Sequence, residues 1–225
     1  EDGDPNEGAE HIAKVRIVSQ RLAGVPLESN GIIAIPETDG SLTAWIPSQN
    51  PISVRDALAG ELGMEPSELR VAAPTVGGGF GPKGGVYVEH IITAHLARLL
   101  DRPLKWTELR SEKMLSLAHG RGMIMYGEMG FSSDGVITGL DAKVIADAGA
   151  YPAIGGFLTF FTQTMIQGVY DIPRIRYHAR SAATNTTHTA AYRGAGRPEA
   201  TQLLERLIDV AADELGTVPA EIRHK

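Results

Sequence analysis

Apolar and polar positions follow two interleaved rhythms along this chain, one of period two and one of helical period. Lys14 to Leu22, Gly31 to Pro36 and Ser41 to Pro47 read as strands. The last two are joined by Glu37-Thr38-Asp39-Gly40, where Asp39-Gly40 signals a hairpin because the glycine accepts positive φ. Ser53 reads as the N-cap of a helix that runs to Leu62 and stops at Gly63. From Tyr87 to Leu100, Val88, Ile91, Ile92, Leu96 and Leu99 make a helical stripe expected to face a core, with His95 beside it as a packed, hydrogen-bonded histidine. Met123 to Ile145 reads as two long strands about the turn Ser132-Ser133-Asp134-Gly135. Gly155 to Gln167 reads as a short helix whose Phe157, Phe160 and Phe161 serve packing. Arg174 to Ala182 follows as a strand, and Pro198 to Leu215 as a helix closed by Gly216. The pattern predicts an α+β fold of mixed strands and helices.

Composition narrows the class. With 225 residues, 43% of them hydrophobic, the chain can bury the core of one large or two small domains. A net charge of −6 gives no electrostatic reason to expect nucleic acid. No apolar run reaches the ~20 residues needed to span a bilayer. The longest window, Val144 to Phe161, is broken by Asp147, Gly149, Pro152 and Gly155-Gly156. The opening Glu1 to Glu10 is acidic, unlike the positive start of a signal peptide. The chain has no cysteine, so disulfide usage says nothing about compartment. His11, His90, His119, His178, His188 and His224 show no zinc-ligand spacing, and no metal-ligating residue is expected in this chain. Asn185-Thr186-Thr187 fits a glycosylation acceptor, but no secreted context accompanies it.

Two glycine-rich stretches carry the candidate chemistry. Val76-Gly77-Gly78-Gly79-Phe80-Gly81-Pro82-Lys83 lies between the apolar segment Leu69 to Ala73 and the helical pattern near Tyr87, so it reads as a strand-to-helix loop. Bare glycine N–H groups there can approach and cradle an anion. Lys83 sits between Pro82 and Gly84, which excludes a P-loop ending. Pro82 also stands where a dinucleotide fingerprint needs its third glycine. The second stretch is Ala191-Tyr192-Arg193-Gly194-Ala195-Gly196-Arg197-Pro198-Glu199-Ala200. Together the two look like walls of one cofactor pocket.

With these stretches, several further segments resemble, in order, the molybdenum-binding subunit of the xanthine dehydrogenase and aldehyde oxidase family, including carbon monoxide dehydrogenase large chains. They are Ser48-Gln49-Asn50-Pro51, Ser53 to Ala59, Arg102 to Trp106, Arg110-Ser111-Glu112, Ala146 to Tyr151 and Tyr170 to Pro173. The resemblance implies the fold of that family's molybdopterin-binding domain, with residues 1–225 as its N-terminal part and the C-terminal half absent. It implies a molybdenum-bearing molybdopterin cytosine dinucleotide, approached by Gln49, Gly78, Gly79, Phe80, Gly81 and Arg193. Arg193 is the implied catalytic residue, and the ring of Phe80 is expected to be buried while its N–H faces the cofactor. Arg197 and Glu199 are expected to pair with each other or to cap the helix that follows.

The implied activity is hydroxylation of an aldehyde, an N-heterocycle or a related small molecule, with water as oxygen donor. The implied partners are iron–sulfur and FAD-binding subunits in a cytoplasmic hetero-oligomer. The general-base glutamate of the family falls beyond this chain. Gly84 stands where purine-oxidising members carry a glutamate, and Gly194 where copper-dependent members carry a cysteine, so xanthine and copper chemistry are not expected. Two other readings stand beside this one: a cofactor-free fragment acting as a scaffold, and a simple anion-binding module.

Overall fold

The computed structural model describes residues 3–225; residues 1 and 2, where the expected 1–225 domain begins, lie outside the described residues. The chain divides into two compact units. It enters the first unit with β1 (His11–Ser19) and leaves it at β2 (Leu22–Ala23). The second unit holds β3 (Gly31–Pro36), β4 (Leu42–Trp45), α1 (Pro51–Leu62), β5 (Leu69–Ala72), α2 (Val88–Leu99), β6 (Leu104–Thr107) and α3 (Arg110–Ser116). The chain then returns to the first unit through β7 (His119–Gly120), β8 (Met123–Phe131), β9 (Ile137–Gly149), α4 (Leu158–Gln163), β10 (Ile175–Ala183), α5 (Arg197–Leu215) and α6 (Pro219–Arg223). The mixed α and β content matches the expected class.

In the first unit a four-stranded sheet has the order β1-β8-β9-β10. β8 runs antiparallel to both β1 and β9, and β10 lies parallel to β9. A parallel neighbour needs a crossover, and α4 lies within it. One sheet face buries Met125, Met129, Leu140, Ala142 and Val144 with Leu203, Leu204, Leu207 and Ile208 of α5. Each of these leucines contributes roughly 1.5–3 kcal/mol by leaving water. Gly127 permits the close approach of α5, because a Cβ there would sit 2.8 Å from Leu207 Cδ1. Lys14, Glu128, Asp141 and Arg176 line up across the four strands by register, with Lys14 paired to Glu128 at 2.8 Å and Arg176 paired to Asp141.

In the second unit the sheet order is β5-β4-β3-β6, with β4 and β5 parallel and the other pairs antiparallel. The Glu37 to Gly40 turn closes the β3–β4 hairpin, with Gly40 at φ 86°. Ile32, Ala34, Leu42 and Ala44 pack with Val54, Leu58 and Ala59 of α1 and with Ala94 and Ala97 of α2. Helix α1 starts two residues before the expected Ser53. Asn50 is its N-cap, its side chain accepts from Ser53 N at 3.5 Å, and Pro51 takes the first turn, where no N–H is needed. Gly63 ends the helix in the left-handed conformation, as expected.

Helix α2 overturns most of the expected stripe. Ile91 packs against the core as expected, but Val88, Ile92, Leu96 and Leu99 are exposed, and the buried residues are His90, Thr93, Ala94 and Ala97. Small side chains let a helix lie close on a sheet, so residue size chose the inner face over hydrophobicity. His95 is exposed rather than packed, and the packed histidine is His90. Phe157 and Phe160 are likewise exposed; of the three aromatic residues near α4, only Phe161 packs on the core.

Candidate functional site

The first glycine loop belongs to the second unit and links β5 to a single 3-10 turn at Pro82–Gly84. Gly78 and Gly81 have φ 94° and 109°, and Phe80 between them takes φ 55°. A bulky residue at positive φ costs roughly 1–3 kcal/mol and persists only where neighbours over-determine it. Phe80 is 43% exposed, contrary to the expectation of a buried ring. Its left-handed backbone turns the ring out of the core, with one edge 3.4 Å from where a Gly78 Cβ would stand.

Gln49 lies along the same loop. Its N–H donates to Lys83 O at 3.0 Å, and its side-chain Oε1 accepts from Gly81 N at 2.8 Å. A Cβ on Gly79 would fall 2.3 Å from that Oε1, so glycine is the residue that admits the glutamine. With Oε1 engaged, Nε2 is left to donate. Neither that amide nor the N–H groups of Gly78, Gly79 and Phe80 have a hydrogen-bond partner among the described residues. Four donors with no internal acceptor suit an oxygen-rich, anionic guest.

Glu28 fastens the loop from below. Its N–H donates to Gly77 O at 3.1 Å, and its Oε2 accepts from Gly77 N at 2.9 Å and from Lys83 Nζ at 2.6 Å. The Lys83 side chain is completely buried. Burial opposes ionisation of Glu28, but hydrogen bonds from Lys83 and Gly77 and the charges of Lys83 and Lys113 outweigh it. Together they hold the carboxyl below its usual range.

A second ion pair, with both partners buried, lies nearby in the same unit. Glu108 Oε2 accepts from Lys113 Nζ at 3.3 Å and from Asn30 N at 2.7 Å. Burial pushes the Lys113 ammonium below its ordinary pKa, against the opposing pull of Glu108. Asn30 Oδ1 meets His90 Nε2 at 3.1 Å, and His90 Nδ1 accepts from Tyr87 N at 3.3 Å. Those contacts fix the neutral tautomer with its proton on Nε2, and burial holds the His90 pKa at about 4.

Arg193 belongs to the first unit. It is exposed, and its guanidinium has no partner among the described residues. Gly194, Ala195 and Gly196 follow it at φ 98°, 46° and 84°, a left-handed run that ends where α5 begins. At Gly196 only glycine fits, since a Cβ would lie 2.6 Å from Leu158 O and 2.7 Å from Thr162 N. Arg121 holds the loop through its carbonyls, with Nη1 donating to Tyr192 O at 3.1 Å and Nη2 to Arg193 O at 2.9 Å. It also pairs with Glu199 at 3.3 Å and stacks 5.0 Å from the Tyr192 ring centre. Glu199, 1% exposed, is thus matched by Arg121 and not by Arg197. Arg197 instead donates to Gly194 O at 3.2 Å and lies over Phe161.

The structure therefore gathers Gln49, Gly78, Gly79, Phe80 and Gly81 into one loop cluster and sets Arg193 on its own loop in the other unit. Glu28, Lys83 and Arg121 escaped the sequence reading as functional residues. Glu28 and Lys83 are 55 positions apart, and no local pattern marks the pairing.

Comparison with known proteins gives these loops their setting. The profile of the molybdopterin cofactor-binding domain matches residues 2–225. The carbon monoxide dehydrogenase large chain of Hydrogenophaga pseudoflava is 37% identical over 91% of this chain and 26% of its own length. The nicotine 6-hydroxylase large subunit of Paenarthrobacter nicotinovorans is 32% identical over 99% of this chain and 28% of its own. Among solved structures, quinoline 2-oxidoreductase from Pseudomonas putida 86 superposes with a TM-score of 0.93 at 31% identity, covering 97% of this chain and 28% of that one. The chain thus spans about a quarter of the length of the relatives it matches.

Proposed function

Because the chain belongs to the molybdopterin cofactor-binding domain family, we propose that it is the N-terminal part of the molybdenum-binding region of a hydroxylase. The whole enzyme would oxidise an aldehyde, an N-heterocycle or a related small molecule with water as oxygen donor. The single observation that carries this reading is the donor set around Gln49: Oε1 is spent on Gly81 N–H, and Nε2 stands with the three unpartnered N–H groups of Gly78, Gly79 and Phe80.

When bound, the molybdenum–pterin group supplies the two-electron redox chemistry. This chain's residues bind and orient. The backbone N–H groups of Gly78, Gly79 and Phe80 and the Gln49 amide would hold the group by donating to its oxygen acceptors, from positions the loop already sets. Arg193 carries a permanent positive charge on a fork-shaped donor, suited to holding a substrate oxygen or steadying negative charge that develops in the reaction. The cytosine dinucleotide form, iron–sulfur and FAD-binding partner subunits and a cytoplasmic hetero-oligomer are part of the proposal, supported by the family resemblance of the segments described above.

The test is molybdenum and released pterin nucleotide per chain in the purified full-length subunit. About one of each, with cytosine dinucleotide released, is the expected result. A folded subunit holding neither sinks the enzyme reading and leaves a scaffold or anion-binding module.

A further inference from the structure

We infer that Glu28 and Lys83 are positioning residues for the candidate site: an ion pair between a partly exposed carboxylate and a buried lysine that fixes the glycine loop and turns the Gln49 amide so that its N–H groups face outward. The inference rests on the function proposed above and assigns a role to two side chains outside its donor set.

The connections form a closed circuit. Glu28 grips the start of the loop at Gly77 through both its backbone N–H and its carboxylate. The same carboxylate oxygen takes the ammonium of Lys83, just past the end of the loop. Lys83 then holds Gln49 through its own carbonyl, which accepts from Gln49 N at 3.0 Å and from Ser48 Oγ at 3.4 Å. Gln49 closes the circuit on Gly81 through Oε1. Both loop ends and the glutamine are therefore referred to one charge pair, and the N–H groups of Gly77 and Gly81 are consumed in fixing it while the three between them stay open.

A lysine with no exposed side-chain surface is costly to bury, so removing its partner leaves an uncompensated charge. The circuit also explains why the left-handed Phe80 is held: Gly77 and Gly81 on either side are both tied down. A loop left free would relax that backbone, and the glutamine amide would lose the bond that decides which of its ends points outward.

The neighbouring pair Glu108–Lys113 is an internal control. It lies in the same unit and is more deeply buried, and although the Lys113 charge also acts on Glu28 through space, the pair ties Asn30 and α3 and makes no hydrogen bond to the glycine loop. Three variants of the full-length subunit separate a positioning role from a structural one: Glu28→Gln, Lys83→Met and Lys113→Met. Hydrogen exchange of the peptide spanning 77–84 is followed by mass spectrometry, beside molybdenum and pterin content and the thermal midpoint.

Glu28→Gln and Lys83→Met are expected to speed exchange of that peptide roughly tenfold and to lower cofactor retention. Lys113→Met should lower the midpoint with the loop's exchange unchanged. Should Lys83→Met not fold, Glu28→Gln suffices, since Glu28 is partly exposed and the substitution keeps its shape. Loop exchange that follows the midpoint alike in all three variants, or does not respond to Glu28→Gln, overturns the inference. A loop response in a subunit that carries no molybdenum upholds the brace and sinks the cofactor reading. No loop response in a subunit that does carry it sinks the brace alone.

Discussion

In the second unit a carboxylate reaches up to the glycine loop and accepts from its N–H at Gly77, while in the first unit a guanidinium reaches the arginine loop and donates to its carbonyls at Tyr192 and Arg193. The braces have opposite charge, and each is itself neutralised from below, Glu28 by Lys83 and Arg121 by Glu199. The backbones they hold are alike. Each loop has glycines at positive φ around one residue that pays strain there, Phe80 in one and Ala195 in the other. Each also leaves N–H groups without an acceptor among the described residues: Gly78, Gly79 and Phe80 in the first loop, Arg193, Gly194 and Gly196 in the second. The comparison teaches that the unpartnered donors are the common feature and that the sign of the brace is incidental to it.

The largest expected effect comes from breaking the guanidinium brace. Arg121→Met leaves Glu199 charged and buried, and should cost the first unit roughly 3–5 kcal/mol in denaturant unfolding. A loss under 1 kcal/mol would mean that Glu199 finds another partner. Gly196→Ala follows, at roughly 3 kcal/mol, because the new Cβ meets Leu158 O and Thr162 N and the backbone stays at φ 84°. The matching change at Gly216, where φ is 67° and nothing lies near, should cost only about 1 kcal/mol, so equal losses would contradict the packing argument.

Acid probes the second unit. His90 has a folded pKa of about 4, below the ordinary 6.5, so the unfolded chain takes up its proton first as pH falls. Its contribution is fully present above pH 6.5 and is lost on acidification towards pH 4, by about 2 kcal/mol between pH 6.5 and 5. That window precedes most carboxylate protonation. A His90→Gln variant whose stability keeps the same slope there would show that another group is responsible.

The smallest change in stability is expected from Gly79→Ala. The backbone at Gly79 is not in the left-handed region, so alanine is tolerated, but its Cβ overlaps the Gln49 side chain and must displace it. Unfolding should shift by less than about 1 kcal/mol while molybdenum and pterin content of the full-length subunit fall. Unchanged cofactor content in a variant shown to have moved Gln49 would remove that residue from the proposed donor set.

Local signals in the sequence were legible where a short stretch of backbone decides the outcome. Asp39-Gly40 closed its hairpin, and Gly63 and Gly216 ended their helices, because positive φ is a one-residue property. Gln49 and the glycine loop fell together because their register matches a family pattern spread along the chain. What stayed hidden depends on partners far apart in sequence. Arg121 and Glu199 are 78 positions apart, and each alone reads as an ordinary charged residue. The face of α2 was misread because Val88, Ile92, Leu96 and Leu99 carry the hydrophobic signal, whereas the sheet accepts the smaller Ala94 and Ala97.

The discontinuity of the first unit has a consequence for how the chain comes off the ribosome. β1 finds its neighbour only when β8 is made, and the paired residues His11 and Phe131 are separated by the whole of the second unit. During synthesis β1 waits as an unpaired strand while residues 23–118, continuous in sequence, have everything they need to collapse. The inserted segment is thus expected to fold first. The pairing of β8 with this early edge strand is the slow step at which the nascent chain is most exposed to mispairing.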